Sequence, residues 1–120
     1  MENHLQTHIL NHLLNNEDYC RRVVPYLRKE YFEGTHKVVF DLITKFVSQH
    51  NKLPTAKVLQ LELRKISAPE DVLNNSATLI TEIATKSEVD TEYLIKESEN
   101  WCRDRAVHNA IMDSISIIDG

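Results

Sequence analysis

Glycine and proline are scarce in this chain of 120 residues, which contains two glycines, Gly34 and Gly120, and three prolines. A phosphate-binding loop of the GxxxxGK[ST] type requires two closely spaced glycines, and the sequence contains no such loop. The HExxH, GxSxG and DxDxDG motifs are also absent. We therefore expect the chain to have no catalytic site and no cofactor of its own.

Cysteines are also few, and long apolar runs and an excess of positive charge are absent. The two cysteines, Cys20 and Cys102, have no CxxC spacing, which argues against a zinc ribbon or a disulfide framework and fits a reducing cytosol. No apolar run approaches the roughly 18 residues of a membrane span, and no secretion signal is evident. The formal charge of -4 argues against a surface built to neutralise phosphates.

One small basic cluster leaves two interpretations open. It consists of Arg21, Arg22, Arg28 and Lys29. Such a cluster can contact nucleic acid, but it is also typical of a solvated helix face. We expect the solvated face and little direct binding of nucleic acid.

The apolar residues that are present, 42% of the chain, recur at helical spacing and never alternate long enough for a sheet. The sequence predicts an all-α fold, a small orthogonal bundle of about five helices followed by a long projecting helix. We assign residues 1–88 to a globular head and residues 89–120 to the long helix. A chain of 120 residues is long enough to bury a single hydrophobic core.

The central core helix is predicted from the stretch of residues 30–47, where apolar side chains fall on one stripe, and it is expected to end around residues 50–52. Thr35 is the expected N-cap, and His36 lies at the top of the apolar stripe. The predicted core residues of this region are Phe32, His36, Val39, Phe40, Leu42, Ile43 and Phe46.

Helix boundaries elsewhere follow from capping and breaking residues. A first helix spans residues 2–15, and Asn16 or Asp18 caps a short second helix that Pro25 disrupts. Thr55 caps a helix over residues 56–66.

A capping box, Ser67 with Glu70, predicts a fifth helix that starts near residue 68. Asn74 and Asn75 weaken its middle, so it is expected as one helix or two short pieces. Asp90 or Thr91 then caps the last helix.

The last helix, about residues 92–118, contains no glycine or proline and reaches roughly 40 Å at 1.5 Å per residue. A small head cannot cover that length, so we expect part of it to project with apolar side chains, including Ile118, available to a partner. Trp101 either joins this interface or packs on the head. The expected interface residues are Tyr93, Trp101, Arg105, His108, Met112 and Ile115. The apolar end of the helix also suggests a fragment of a longer protein, cut after one arm of a helical hairpin.

Three histidines, His4, His8 and His12, are spaced one turn apart on the first helix. Stacked imidazoles can chelate a transition metal, although no further ligand is indicated. The alternative, which we favour, is that they border the apolar stripe.

Several segments together resemble a known family. They are Pro25-Tyr26, the run from Glu30 to Glu33, Phe40 with Leu42-Ile43, Leu53-Pro54-Thr55, and the run from Tyr93 to Glu97. Their order and spacing resemble the amino-terminal domain of DnaB-type replicative DNA helicases, especially those of T-even-like phages. The shared residues belong to the core and the turns, so the resemblance indicates fold rather than chemistry.

The resemblance implies that the parent protein is a hexameric helicase that unwinds DNA 5′ to 3′ in the host cytoplasm. ATP and Mg²⁺ would bind its carboxyl-terminal ATPase domain, which this chain lacks. The present domain would form a collar, a trimer of dimers joined by hairpins, on which primase and a helicase-loading protein dock. Two alternatives are a free-standing helical adaptor that dimerises through its last helix and a metal-dependent enzyme using the three histidines.

Overall fold

The architecture is all-helical, as the sequence predicts. The computed structural model describes residues 2–85 and 87–119, with side chains for residues 4–85 and 87–115. Within that part the chain forms six α-helices and two single 3₁₀ turns, at Val24–Tyr26 and Lys29–Tyr31, and no strand. The helices are α1 Glu2–Asn15, α2 Glu17–Val23, α3 Gly34–His50, α4 Ala56–Leu63, α5 Glu70–Ile83 and α6 Thr91–Asp119. Met1, Lys86 and Gly120, which the predicted head and helix ranges include, lie outside the described residues, as does the side chain of Ile118.

Three helix starts have the side-chain caps that the sequence predicts. Asn16 accepts a hydrogen bond from the amide of Tyr19 at 3.1 Å and so opens α2. Thr55 accepts from the amide of Val58 at 3.2 Å, and Asp90 accepts from that of Tyr93 at 2.9 Å. Each cap supplies an acceptor for an amide that has no partner within its own helix.

The cap predicted at Thr35 is wrong. Helix α3 begins at Gly34, two residues before the start that a cap at Thr35 implies, and its N-cap residue, Glu33, makes no side-chain capping bond. The φ angle of Gly34 is +53°, a left-handed conformation that glycine adopts without strain. The chain therefore turns into the helix at Gly34, which leaves Thr35 inside the first turn.

The capping box at Ser67 and Glu70 is wrong for a related reason. Pro69 is extended, with φ and ψ of -57° and 150°, and α5 begins only at Glu70. A residue that precedes proline is biased away from helical geometry, so Ala68 stays outside the helix, and Ser67 is then too far from the first helical residue to be its N-cap. Helix α5 is also a single element, and it packs on α1, α3 and α4.

The core is built around α3, which lies against α1, α4 and α5. The rings of Phe32 and Phe40 stack with their centres 4.4 Å apart. Six of the predicted core residues are buried, namely Phe32, Val39, Phe40, Leu42, Ile43 and Phe46. His36 differs, since it is only half-buried and its Nε2 lies 2.9 Å from Oγ1 of Thr7.

Burial lowers the pKa of His36, against a smaller opposing effect of Glu82. The folded chain therefore binds a proton at His36 less readily than the unfolded chain, whose imidazole titrates near pH 6.5. The contribution of neutral His36 to the free energy of unfolding is therefore fully present above about pH 6.5, and it is lost as the pH falls below that value. We expect His36→Gln, which keeps a polar group near Thr7, to reduce the loss of stability between pH 7.5 and 5.5. Urea unfolding at both pH values measures the loss of stability. The same loss in the variant and in the unmodified protein would contradict a role of His36 in this pH dependence.

None of the helices in the described ranges has an apolar stretch long enough to cross a lipid bilayer.

Candidate protein interface

The first half of α6 is fastened to the head by polar contacts. Tyr19 is fully buried, and its hydroxyl lies 2.6 Å from Oγ of Ser98, which in turn donates to the carbonyl oxygen of Leu94 at 2.6 Å. At the surface, the guanidinium of Arg22 donates to both carboxylate oxygens of Glu92 at 2.7 and 3.3 Å. These contacts join α2 to α6 and fix the direction in which α6 leaves the head.

Trp101 completes this attachment. It is only 6% exposed, and its ring meets those of Tyr31 and Phe32 edge-on, with centres 6.1 and 5.0 Å away. The guanidinium of Arg105 lies 5.8 Å from the same ring, and its Nη1 is 3.1 Å from a carboxylate oxygen of Glu33. Of the two arrangements expected for Trp101, the structure shows the one in which it packs on the head. Trp101 and Arg105 thus anchor α6 within one chain rather than present a free surface.

Beyond Arg105 the helix leaves the head, and the described side chains from Ala106 to Ile115 are exposed apart from half-buried Asn109. Four of them are large and apolar, and we call them the distal stripe: Val107 (55% exposed), Ile111 (54%), Met112 (52%) and Ile115 (46%). At 3.6 residues per turn, they fall within an arc of about 140° on one side of the helix. Such a contiguous apolar patch is typical of a protein interface.

The predicted interface residues are only partly brought together. His108, Met112 and Ile115 are exposed on the outer half of α6, whereas Tyr93, 61% exposed, lies near its start. Tyr93 is fourteen residues before Val107, which at 1.5 Å per residue is about 21 Å along the helix axis. The prediction omitted Val107 and Ile111, although Val107, Ile111 and Ile115 follow one another at a spacing of four residues, which was a usable signal.

His12 has a structural role in the head. Only 4% of it is exposed, and its Nδ1 and Nε2 each lie 3.2 Å from a backbone carbonyl oxygen, that of His8 and that of Val89. The contact with Val89 joins α1 to the segment that leads into α6. Among the described residues, no group of three or more His, Cys, Asp or Glu side chains is arranged to hold a metal ion.

The two cysteines are buried, and their thiols lose a proton less readily than a free thiol. Burial raises the pKa of Cys20, with a smaller contribution from Glu17, and it raises the pKa of Cys102 to about 11, with a smaller contribution from Glu99. Because the thiolate is the nucleophilic form, neither side chain is suited to covalent catalysis.

Two residues of the basic cluster, Arg21 and Arg22, lie on α2 and are paired with carboxylates. Arg21 lies 4.0 Å from Glu17, and Arg22 lies 3.6 Å from Asp18 in addition to its contact with Glu92. These pairs agree with a solvated helix face at Arg21 and Arg22.

In comparison with known proteins, no protein-family model matches the chain. A DnaB-like replicative helicase of Enterobacteria phage T4 is 36% identical over 110 residues. Those residues amount to 91% of this chain but only 23% of the phage T4 protein, so the chain spans less than a quarter of that relative. The resemblance predicted from the sequence is thereby confirmed, and the chain is homologous to one segment of a DnaB-type replicative DNA helicase.

Proposed function

We propose that this chain is the oligomerisation and partner-docking domain of a phage replicative helicase, and that it catalyses no reaction itself. The parent protein would be a hexamer that unwinds DNA 5′ to 3′ in the host cytoplasm. ATP and Mg²⁺ would bind in a separate ATPase domain, since this sequence has no phosphate-binding loop. The homology to a phage helicase supports this assignment.

The observation that carries the proposal is the distal stripe on α6. Val107, Ile111, Met112 and Ile115 are each about half exposed on a helix that has already left its own head. Burial of apolar area is favourable by roughly 25 cal/mol per Å², so the binding of a second surface that covers these side chains is favourable. A surface of this kind, in a chain without a candidate catalytic centre among its described residues, suits binding to other proteins.

The expected partners follow from the family resemblance. Self-association through α6 would give a dimer, and three dimers would form the hexameric ring. The remaining head surface would be free for primase and the helicase-loading protein. With a formal charge of -4, the domain is suited to protein partners rather than to DNA.

A free-standing adaptor that dimerises through its last helix is the second candidate, and the same distal stripe favours it. The two candidates differ in what the gene encodes after Gly120. A phosphate-binding loop downstream, in the same reading frame, supports the helicase, whereas a stop codon at that position supports the adaptor.

Substitution of one exposed isoleucine tests the proposed interface. Ile111→Asp places a charge within the distal stripe, and we expect it to weaken association of the full-length protein at least tenfold, which is about 1.4 kcal/mol. Sedimentation equilibrium measures this effect. Thermal unfolding should hardly change, since the side chain is 54% exposed.

Leu61→Asp is the matched control. Leu61 is 60% exposed on α4, away from the distal stripe. Its substitution also replaces an exposed aliphatic side chain with a carboxylate. We expect this variant to associate like the unmodified protein. Equal association of both variants and the unmodified protein would refute the assignment of the distal stripe as an interface.

A further inference from the structure

Two adjoining clefts on the head form one groove beside α3. A cleft of about 600 Å³ lies between the junction of α1 and α2 and the last turns of α3. A second cleft, of about 360 Å³, lies between the segment that follows α2 and the middle of α3. Val24 and Thr44 line both clefts, so the two are continuous. We call the combined feature the α3 groove.

One side of α3, with its C-cap residue, forms a wall of the α3 groove. Phe40, Thr44, Val47 and Asn51 line the groove, and their spacing of four, three and four residues places them on the same side of the helix. From Phe40 to Asn51 this wall is about 16 Å long, at 1.5 Å per residue. An occupant that fills the groove is therefore about three helical turns in length.

The floor of the α3 groove is apolar and mostly aliphatic. Val24, Val47 and Leu53 are only partly covered by the chain's own residues. The aromatic residue in the wall, Phe40, is 4% exposed and its ring stacks on that of Phe32. Single-stranded nucleic acid binds largely by stacking its bases on exposed aromatic rings, whereas the apolar side of a helix packs into a hydrophobic groove. The floor therefore suits a helix of a protein better than a nucleic acid.

The rim of the α3 groove is basic, although the whole chain has a formal charge of -4. Two carboxylates of the rim already face basic side chains, since Glu17 lies 4.0 Å from Arg21 and Asp41 lies 3.1 Å from Lys45. The remaining charged residues that line the groove are Arg28, Lys29, Lys52 and Glu30. Within residues 4–85 and 87–115 none of these four forms an ion pair, so three cations stand against one carboxylate. An acidic occupant is favoured by this excess of positive charge.

The distal stripe of a second copy does not match this groove. Asp113 is the one carboxylate with a described side chain in residues 106–115, and it lies on the side of α6 opposite Ile111. The distal stripe is also assigned already to the pairing of α6 between copies. The occupant of the α3 groove therefore belongs to a different protein.

We propose that the α3 groove binds an acidic amphipathic helix of a partner protein. The apolar side of that helix covers the aliphatic floor, and its carboxylates meet Arg28, Lys29 and Lys52. This inference rests on the proposed docking function and names the surface and the class of segment that it receives. It also gives a role to the basic cluster of the sequence, because all its members except Arg22 line the groove.

Binding of synthetic peptides to the chain, followed by fluorescence anisotropy, tests this inference. The acidic probe is a peptide of about 14 residues with leucines at i, i+4, i+7 and i+11 and with glutamates on its other side. A hydrocarbon link on the polar side keeps it helical, since short helices are marginal in water. A second peptide has lysine in place of every glutamate, and a thymidine oligonucleotide of similar length represents nucleic acid. We expect the acidic peptide to bind roughly tenfold more tightly than the basic one.

Charge reversal at the rim separates the groove from the rest of the surface. Arg28→Glu combined with Lys29→Glu reverses two exposed charges and should remove the preference for the acidic peptide. Val47→Asp should weaken the binding of both peptides, because it places a charge on the apolar floor. The rim variant remains decisive should Val47→Asp fail to fold. Lys57→Glu, an exposed charge reversal on α4 outside the groove, is the matched control and should bind like the unmodified chain.

Several results would overturn the inference. They are equal affinity for the two peptides, no binding of the acidic peptide, and an unchanged preference in the rim variant. Tighter binding of the oligonucleotide than of the acidic peptide would also overturn it and would assign the groove to nucleic acid. Each of these results leaves the oligomerisation function in place, because sedimentation of Ile111→Asp tests that function on a separate surface.

Discussion

Trp101→Ala is expected to lower the free energy of unfolding by about 3–5 kcal/mol, because truncation of a buried aromatic side chain removes its contacts and leaves a cavity. Trp101 is 6% exposed and packs against Tyr31 and Phe32. Its loss also removes the ring over which Arg105 lies. Urea unfolding followed by circular dichroism measures the change, which is a large part of the 5–15 kcal/mol typical of a domain.

Met112→Ala provides the control on the same helix. Met112 is 52% exposed, so its truncation should change the free energy of unfolding by less than about 0.5 kcal/mol. The sequence alone left open whether Trp101 serves the head or an interface. An unchanged unfolding curve for Trp101→Ala, together with loss of oligomers, would restore the interface interpretation.

Tyr19→Ala is expected to have an effect of similar size, about 3–5 kcal/mol, since it empties a fully buried position between α2 and α6. Tyr19→Phe keeps the ring and removes only the hydroxyl that bonds to Ser98 at 2.6 Å. We expect this second variant to cost about 1 kcal/mol, the usual net value of one hydrogen bond. The same urea titration separates the ring contribution from that of the hydroxyl.

Ser98→Ala tests the same bond from the other side. It leaves the Tyr19 hydroxyl buried with its partner removed, which should cost about 1–3 kcal/mol. In Tyr19→Phe combined with Ser98→Ala, both partners are gone, so the double variant should lose less than the sum of the single losses. Strict additivity would contradict a direct bond between the two side chains.

The parts of the fold that the sequence predicts well depend on local chemistry. The side-chain caps of Asn16, Thr55 and Asp90 each involve a bond to an amide three residues later, so a short stretch contains all the information. The start of α3 also depends on one residue, but there the left-handed backbone of Gly34 outweighed the capping preference of Thr35. Pro69 similarly overrode the capping box at Ser67.

The candidate site depended on longer-range packing, and only part of it was predictable. Trp101 is buried because residues 31 and 32, about seventy positions earlier, fold against it, and helical spacing alone does not reveal such a contact. Val107 and Ile111 lie on a regular spacing of four and were predictable in principle. The apolar groove between the junction of α1 and α2 and the last turns of α3 was not predictable, because its walls come from separate parts of the chain.

Helix α6 is shared between the aromatic cluster of the head and the exposed end beyond it. Its 29 residues span about 43 Å, nearly the longest dimension of the molecule, which is 45 Å. No residue within it favours a kink, so its two ends cannot bend independently. A force applied sideways at the outer end of α6 is consequently transmitted to the aromatic rings around Trp101. The head and the helix then rotate together.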